Sequence, residues 1–348
     1  MSKKIQIRQG TASEWAAENP ILASGEFGYD STNKSLKIGD GVTAWNSLLD
    51  FVKEAQIAEQ IAQGVYAGTN LEEKFAAEIA GYDNVAAWLH ARCQAGNFTG
   101  IYPFDYFYDQ CSAGTVATKS VAATNRKCII AGINLYKDCG DQSPVMPNHL
   151  TIWAGLTAET VEYNAENNNN GSASEPCPYR ASKLFAVLNG VNNADSNPIG
   201  NVGYDASSGG YLQLFSAALQ AIMVEQRVYM GKRYSSSGAL IEDNGQQWEN
   251  RGKLFAPSEI EAYGCLIHSN RENEQAGNSE GYGPYCQWPI FKSAGKNGRL
   301  LSGRPHYWLS SVAGGSSSIA CYVHNNGLAN CYNTSIANIR APLAFHIA

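Results

Sequence analysis

Charge is scarce in this sequence. Only 16% of its 348 residues are Asp, Glu, Lys or Arg, and the net charge is −6. No basic stripe exists to follow a phosphate backbone, so nucleic acid is not an expected partner. Long apolar runs are missing too: nowhere do about 18 apolar residues follow one another. The lysines of the opening MSKKIQIRQG lead into no hydrophobic segment of a secretory signal. A soluble protein without membrane insertion is expected. None of the nine cysteines (93, 111, 128, 139, 177, 265, 286, 321 and 331) belongs to a CxxC pair. An odd number at irregular spacing fits neither a zinc site nor a complete disulfide framework. Small buried hydrophobes in a chain folded in a reducing cytoplasm is the expected role. Catalytic signatures are absent as well. There is no HExxH or P-loop pattern, GNSEG at 277–281 matches GxSxG in spacing alone, and GYGPYC at 281–286 fails the spacing of a dinucleotide loop. The six histidines are scattered, and no metal or cofactor is expected.

What the chain has in quantity is glycine (34), tyrosine (19) and a 44% hydrophobic content, which suits a strand- and loop-rich globular protein of two or three domains. Residues 1–51 read as a turn-rich module. Strand-like pieces at 26–29 and 35–38 flank a polar turn, Ser13 caps a helical turn over 13–17, and Asp40 is a turn residue. So few large apolar groups make a thin core, so self-association is expected. Residues 52–96 read as short helices, with Ala58, Ile61 and Val65, then Leu71, Phe75 and Ile79, then Val85, Trp88 and Leu89 at helical spacing. Gly64, Gly68 and Gly81 interrupt them, which argues against a long coiled coil. From residue 97 the texture changes to strands, with alternation at 129–135 and 149–153. NAENNNNGSASEP at 164–176 reads as a polar surface loop. Residues 211–229 read as the best helix, its apolar face formed by Leu212, Phe215, Leu219, Ile222 and Met223. Glu259 and Glu261 are expected as acids at a helix start, pointing in different directions and sharing no active site.

The stretch 304–348 carries the candidate recognition residues. Its middle is almost all Ser, Asn, Tyr, Gly and His, the mixture that binding loops favour because Tyr gives rigid contact area and the small polar residues give adaptable hydrogen bonds. Alternation over 318–324 puts Ile319, Cys321 and Val323 on a buried face and Ala320, Tyr322 and His324 on an exposed one. The Asn325-Asn326-Gly327 turn then extends the exposed face and returns the chain as a second strand, which adds Tyr332 and Asn333, with Tyr307 and Asn330 nearer the edge. No calcium-binding EPN or QPD tripeptide is present in this part. The Cys321/Cys331 spacing does not suggest the reactive pair of the formylglycine-generating enzymes.

Two runs point further. GEFGYD followed by LKIGDGVTAWNSL resembles the N-terminal β-prism module of phage tail-fibre and tropism-determinant proteins, in which three chains interlock. Beyond it, in order, come AAWLHARCQAGNFTGIYPFDYF, AGINLYKDCGD, PNHL, SKLFAVLNG, GKLFAPSEIEAYG, QWPIF, YWLSS and APLAFHI. These resemble phage-encoded proteins with a C-type-lectin-like domain whose final strands are rewritten by diversity-generating retroelements. By that likeness Trp308, Leu309, Ser310, Pro342 and Phe345 belong to the frame. Phe104-Asp105 and Ala341-Pro342 stand where the family more often has Gly-Asp and Arg-Pro. The implied architecture is α+β: a β-prism-like trimerisation module over 1–51, a helical connector over 52–96, and a C-type-lectin-like ligand-binding domain over 97–348. The implied protein is a non-enzymatic homotrimer in the virion, at a tail-fibre tip or baseplate, binding a bacterial cell-surface protein or glycan and attached to other phage tail proteins. A tail protein whose lectin-like domain only packs on another virion protein is the alternative, and an enzyme that degrades surface glycan is a third.

Overall fold

The computed structural model describes residues 7–193, 204–205, 209–234, 245–269, 286–292 and 299–348. It divides into two compact units, Met1–Tyr66 and Ala67–Ala348. The region 52–96 thus contributes its first helix to one unit and the later ones to the other.

In the first unit, β1 (Arg8–Gly10) pairs in parallel with β2 (Phe27–Asp30), and β2 pairs antiparallel with β3 (Ser35–Ile38). Helix α1 (Ala12–Glu18) begins at Thr11, not at Ser13, because Thr11 and Glu14 close a reciprocal capping box. The core is small: Trp15, Leu22, Trp45 and Leu48. The two indoles stack at 3.9 Å between ring centres, and Trp15 donates its ring N–H to the Tyr29 carbonyl at 3.0 Å. The glycine of GEFGYD is fixed by this packing, since a Cβ on Gly28 would lie 2.5 Å from Trp45 Cζ3 and 2.9 Å from Leu22 Cδ1. Asp40 is the turn residue expected of it. Its carboxylate accepts from the backbone of Val42 and Thr43 at 2.9 and 2.7 Å and from the Thr43 hydroxyl, and those bonds hold its pKa down at about 2. Helix α2 (Phe51–Gln63) starts on an Asp50 cap and ends at Gly64, whose φ of 71° closes it.

The second unit opens with three helices, α3 (Leu71–Lys74), α4 (Ala76–Ile79) and α5 (Val85–Ala95). Then come β4 (Tyr106–Cys111), the hairpin β5 (Gly114–Val116) and β6 (Lys119–Val121), β7 (Thr124–Ile133) and β8 (Leu150–Thr160). The remaining elements are α6 (Lys183–Asn189), the pair β9 (Asn192–Asn193) and β10 (Tyr204–Asp205), α7 (Ala217–Ile222), β11 (Met223–Val224), β12 (Arg227–Gly231), β13 (Gln246–Asn250), α8 (Glu259–Tyr263), α9 (Pro289–Lys292), β14 (Tyr307–Val312), β15 (Ile319–Val323), β16 (Ala329–Asn333) and β17 (Arg340–Ile347). The main sheet runs β16-β15-β14-β17-β8-β7-β4, with β11 also paired to β17. Only β14 and β17 run parallel within it. This is an α+β arrangement. Strand β17 is buried along almost its whole length, and its ladder with β8 shifts register on either side of Pro342, the place where a residue without an N–H interrupts pairing.

Several expectations fail in this unit. The helix over 211–229 is instead a 3-10 turn at Tyr211–Leu214, the short α7, and then strand. Ser216 breaks the helix. Its backbone N–H and hydroxyl both bond the Asp109 carboxylate, at 3.0 and 2.5 Å, and its extended backbone restarts α7 as an N-cap. Met223 and Val224 then pair with Ile347 and His346, so strand pairing overrides helical periodicity. The segment 164–176, expected in solvent, instead buries Asn164, Asn168, Asn169, Asn170 and Ser172.

Glu259 and Glu261 stand in the first turn of α8, as expected, and both are buried. Glu261 takes two hydrogen bonds from the Arg251 guanidinium and one from Tyr136 OH, with a fourth from Ser258 N at 2.7 Å. Trp288 donates to Tyr136 OH at 2.9 Å, and Arg251 stacks on Phe255 at 4.0 Å. Burial opposes both charges, yet Arg251 holds the Glu261 carboxyl below the usual carboxylate range. Glu259 serves a neighbouring turn, accepting from the backbone N–H of Ile267 and Ser269 at 2.9 and 3.0 Å and from the Ser269 hydroxyl at 2.6 Å.

Replacing one partner of the Arg251–Glu261 pair strands a buried charge. Arg251→Ala should cost ~3–5 kcal/mol of unfolding free energy. The double replacement Arg251→Met, Glu261→Leu should cost less than that single one. Urea denaturation followed by tryptophan fluorescence measures both.

Candidate recognition surface

β14 is the buried foundation of the surface. Its Tyr307 ring lies 5.5 Å from Trp153, with its hydroxyl donating to the Arg299 carbonyl at 2.9 Å. Tyr307 is therefore core rather than the edge of a binding face. Trp308 donates its indole N–H to the Val161 carbonyl at 2.6 Å and meets Tyr163 edge-on. On β15, Ala320 and Tyr322 are also buried, at 0% and 6% exposure, as are Cys321 and Val323. The expected alternation of buried and exposed side chains is absent from this strand. Its cause is coverage on both faces, which makes a strand apolar throughout irrespective of period. Tyr322 packs among Trp308, His306 and His324, at ring-centre distances of 6.1, 5.4 and 6.2 Å.

The cover over this end of the sheet is the asparagine-rich segment that composition placed at the surface. Asn164, Asn168, Asn169, Asn170 and Ser172 are all buried. Side chain and backbone both take part in holding the sheet end. Asn169 donates its side-chain amide to the carbonyls of Ser316 and Ile319 at 2.9 and 2.7 Å, and its backbone N–H to Ser317 O at 2.8 Å. Asn164 N bonds Thr334 O at 3.0 Å, Asn168 N bonds Thr334 Oγ1 at 2.9 Å, and Thr334 returns a bond to Glu166 O at 2.8 Å. From the other side Arg233, itself buried, donates to the carbonyls of Ala313 and Ser316 at 3.0 and 2.7 Å. The 313–318 loop and the end of β16 are thereby pinned by polar contacts.

What remains in solvent is the far end of the hairpin. The expected turn forms, with Gly327 at φ 81° and His324 N bonded to Leu328 O at 2.9 Å. Asn325, Asn326, Tyr332 and Asn333 are exposed, while His324 and Asn330 are half-buried. Asn330 Oδ1 takes the Cys331 N–H at 2.8 Å, and Cys331 stands opposite Cys321 in the ladder. Six of the nine expected residues thus gather on the turn and on β16, the outermost strand of the sheet, and Tyr307, Ala320 and Tyr322 do not. Sequence reasoning missed Leu328, 54% exposed within the turn, and Leu266 and Ile267, exposed on the segment held by Glu259. An apolar residue directly after an Asn-Gly turn was the one available signal.

Elsewhere, among the described residues, Glu175, Cys177 and Glu249 form a group with metal-ligating atoms within 4.8 Å of one another. Arg180 already stands 3.4 and 3.8 Å from the two carboxylates. Burial, then the Glu249 charge, pushes the Glu175 carboxyl up to about 7. Six of the nine cysteines are buried, Cys265 is exposed, and Cys286 and Cys331 are half-buried. No helix among the described residues is long and apolar enough to cross a membrane.

Comparison with known proteins bears on the first unit. Residues 5–43 match the family described as the major tropism determinant N-terminal domain. That match covers β1 to β3 and the GEFGYD run, and it points to a phage tropism-determinant protein. No curated protein matches the chain. A solved structure, the Major Tropism Determinant U1 Variant, aligns over 99% of this chain and 100% of its own at 13% identity and a TM-score of 0.16, too loose a likeness to bear on the fold of the second unit.

Tyr322 and Tyr332 differ in burial, at 6% and 50% exposure, and should differ in tolerance. Tyr322→Ala should cost about 3 kcal/mol or more of stability, because a packed ring is removed from among three others. Tyr332→Ala should stay within about 0.5 kcal/mol of the parent. Thermal and urea unfolding of the two variants decide between them.

Proposed function

We propose that this chain is a phage virion receptor-binding protein that assembles as a homotrimer through its N-terminal module and binds a bacterial surface protein or glycan non-covalently. The observation that carries the reading is the match of residues 5–43 to the tropism-determinant N-terminal domain. Two features support it. The first unit has a four-residue core cluster yet leaves Ile21, Val42 and Phe51 57%, 76% and 56% exposed, more apolar surface than so small a module leaves uncovered when alone. The second unit is read as a C-type-lectin-like head. Its outermost strand and turn hold an exposed tyrosine and asparagines on a rigidly pinned frame, the arrangement that keeps the ordering cost of binding low. Asn325, Asn326, Leu328, Tyr332 and Asn333 form the contact face in this reading, and they are the positions where retroelement-driven variation would act. The reading includes no catalytic step, cofactor or metal.

Light scattering on the purified protein at micromolar concentration should give a trimer, and Val42→Asp with Phe51→Asp should shift it towards monomer. A stable monomer of the parent chain would overturn the assembly.

For recognition, the test is binding to host cells by the folded Tyr332→Ala variant. A loss of ~1–3 kcal/mol of affinity is expected of an exposed aromatic anchor. Unchanged binding, with Tyr332 protected from modification in intact virions, would instead favour a domain that packs on another virion protein.

A further inference from the structure

The turn that presents Asn325 and Asn326 is held by two imidazoles. His306, just before β14, accepts the Asn325 N–H on its Nδ1 at 3.2 Å. His324, at the end of β15, accepts the Asn326 N–H on its own Nδ1 at 3.4 Å. The two rings lie 4.6 Å apart between centres. A ring nitrogen that accepts from a backbone N–H carries no proton, so each ring must be the neutral tautomer with its proton on Nε2. Protonation of either Nδ1 turns an acceptor into a donor facing another donor, and a second proton sets two positive charges side by side. We propose that His306 and His324 form a proton-operated latch on the Asn325–Asn326 turn, holding it in place when both rings are neutral and releasing it when they are protonated.

The surroundings of His306 favour its neutral form at neutral pH. Burial, and then the neighbouring His324, lower the pKa of His306 from the ordinary imidazole value. From β15 the facing titratable group is Tyr322, 5.4 Å away, and Cys331 and Tyr332 of β16 lie beyond it. From β17, Arg340 donates its backbone N–H to the His306 carbonyl at 3.0 Å. On the far side of the turn, Arg299 and Tyr263 donate to the Gly327 carbonyl at 2.9 and 3.5 Å. From α8 the Glu259 carboxylate acts on Cys331 and Tyr263, but it is taken up by the backbone N–H groups of Ile267 and Ser269 and the Ser269 hydroxyl. Those contacts at Gly327 and the His324 N–H to Leu328 O bond at 2.9 Å stay in place through the transition, so release is confined to the tip. The latch acts on the face assigned above to recognition. Its biological use as a pH-dependent switch of binding rests on that assignment, but the latch itself does not.

Hydrogen–deuterium exchange of the full-length protein, without ligand, tests it. Rates for the peptide covering the turn are corrected for the intrinsic pH dependence of amide exchange. On going from pH 7.5 to pH 5.0 the protection of that peptide should fall by about tenfold, the size expected for the loss of one or two modest hydrogen bonds, while the β17 peptide is unchanged. In His306→Gln with His324→Gln, whose side-chain oxygens can accept but do not titrate, the pH dependence should disappear. Turn protection that is flat with pH in the parent chain would overturn the latch, and so would a fall of equal size in the double variant. Host-cell binding at the two pH values is a separate measurement: a latch seen by exchange together with pH-independent binding would retain the latch and remove the recognition role of the turn.

Discussion

The second unit depends on one buried ion pair. Arg251 and Glu261 meet in the interior, and each is tied to other elements: Arg251 to Gln226 and the Ala256 carbonyl, Glu261 to Tyr136 and the start of α8. A pair this deep gains little from its own attraction, since desolvation offsets most of it. Its value is that the alternative, either charge alone in the same place, is excluded. The chain that leaves the main sheet at β11 and returns at β14 is thus held at a fixed position against the strands. Gln226 extends the network to His346 at 3.1 Å, and His346 to Thr151 at 3.1 Å, so the central strands β17 and β8 are joined to the same polar core.

A second layer of constraint lies under the exposed hairpin. Here the structure uses the Asn169 side chain and the backbone N–H groups of Asn164 and Asn168 where other proteins extend a strand, tying the segment to Ser316–Ile319 and to Thr334 after β16. The exposed turn can then vary in composition without loosening its base. The contrast within one hairpin is sharp: Tyr322 and Tyr332 are ten residues apart, yet one belongs to the core and the other is 50% exposed. The first unit solves a different problem, since its core is two stacked indoles and two leucines, and Gly28 and Gly39 are required because no Cβ fits against them. At Gly39 a Cβ would lie 2.2 Å from the Ala23 carbonyl oxygen.

Local chemistry was legible in the sequence wherever it was decided locally. The strand pair β2 and β3, the Asp40 turn, the glycine that stops α2, strands β7 and β8, and the Asn-Gly hairpin all follow from residues within a few positions of one another. The tropism-determinant likeness of the first unit was legible for the same reason: the turn residues and the close-packed glycines lie in one continuous run. What only the tertiary structure decided is which faces are covered. Composition cannot tell an asparagine loop in water from one that replaces a strand, because the hydrogen-bond partners at 316–319 and 334 are about 150 residues away. Alternation cannot tell a half-solvated strand from one covered on both faces, so Ala320, Tyr322 and Tyr307 moved from the surface to the core. The helical period of 211–229 lost to strand pairing with β17 and to the hydrogen bonds that Ser216 donates to the Asp109 carboxylate. The joining of His306 to His324 had no sequence signal, since the two rings are brought together by the antiparallel return of β15 along β14.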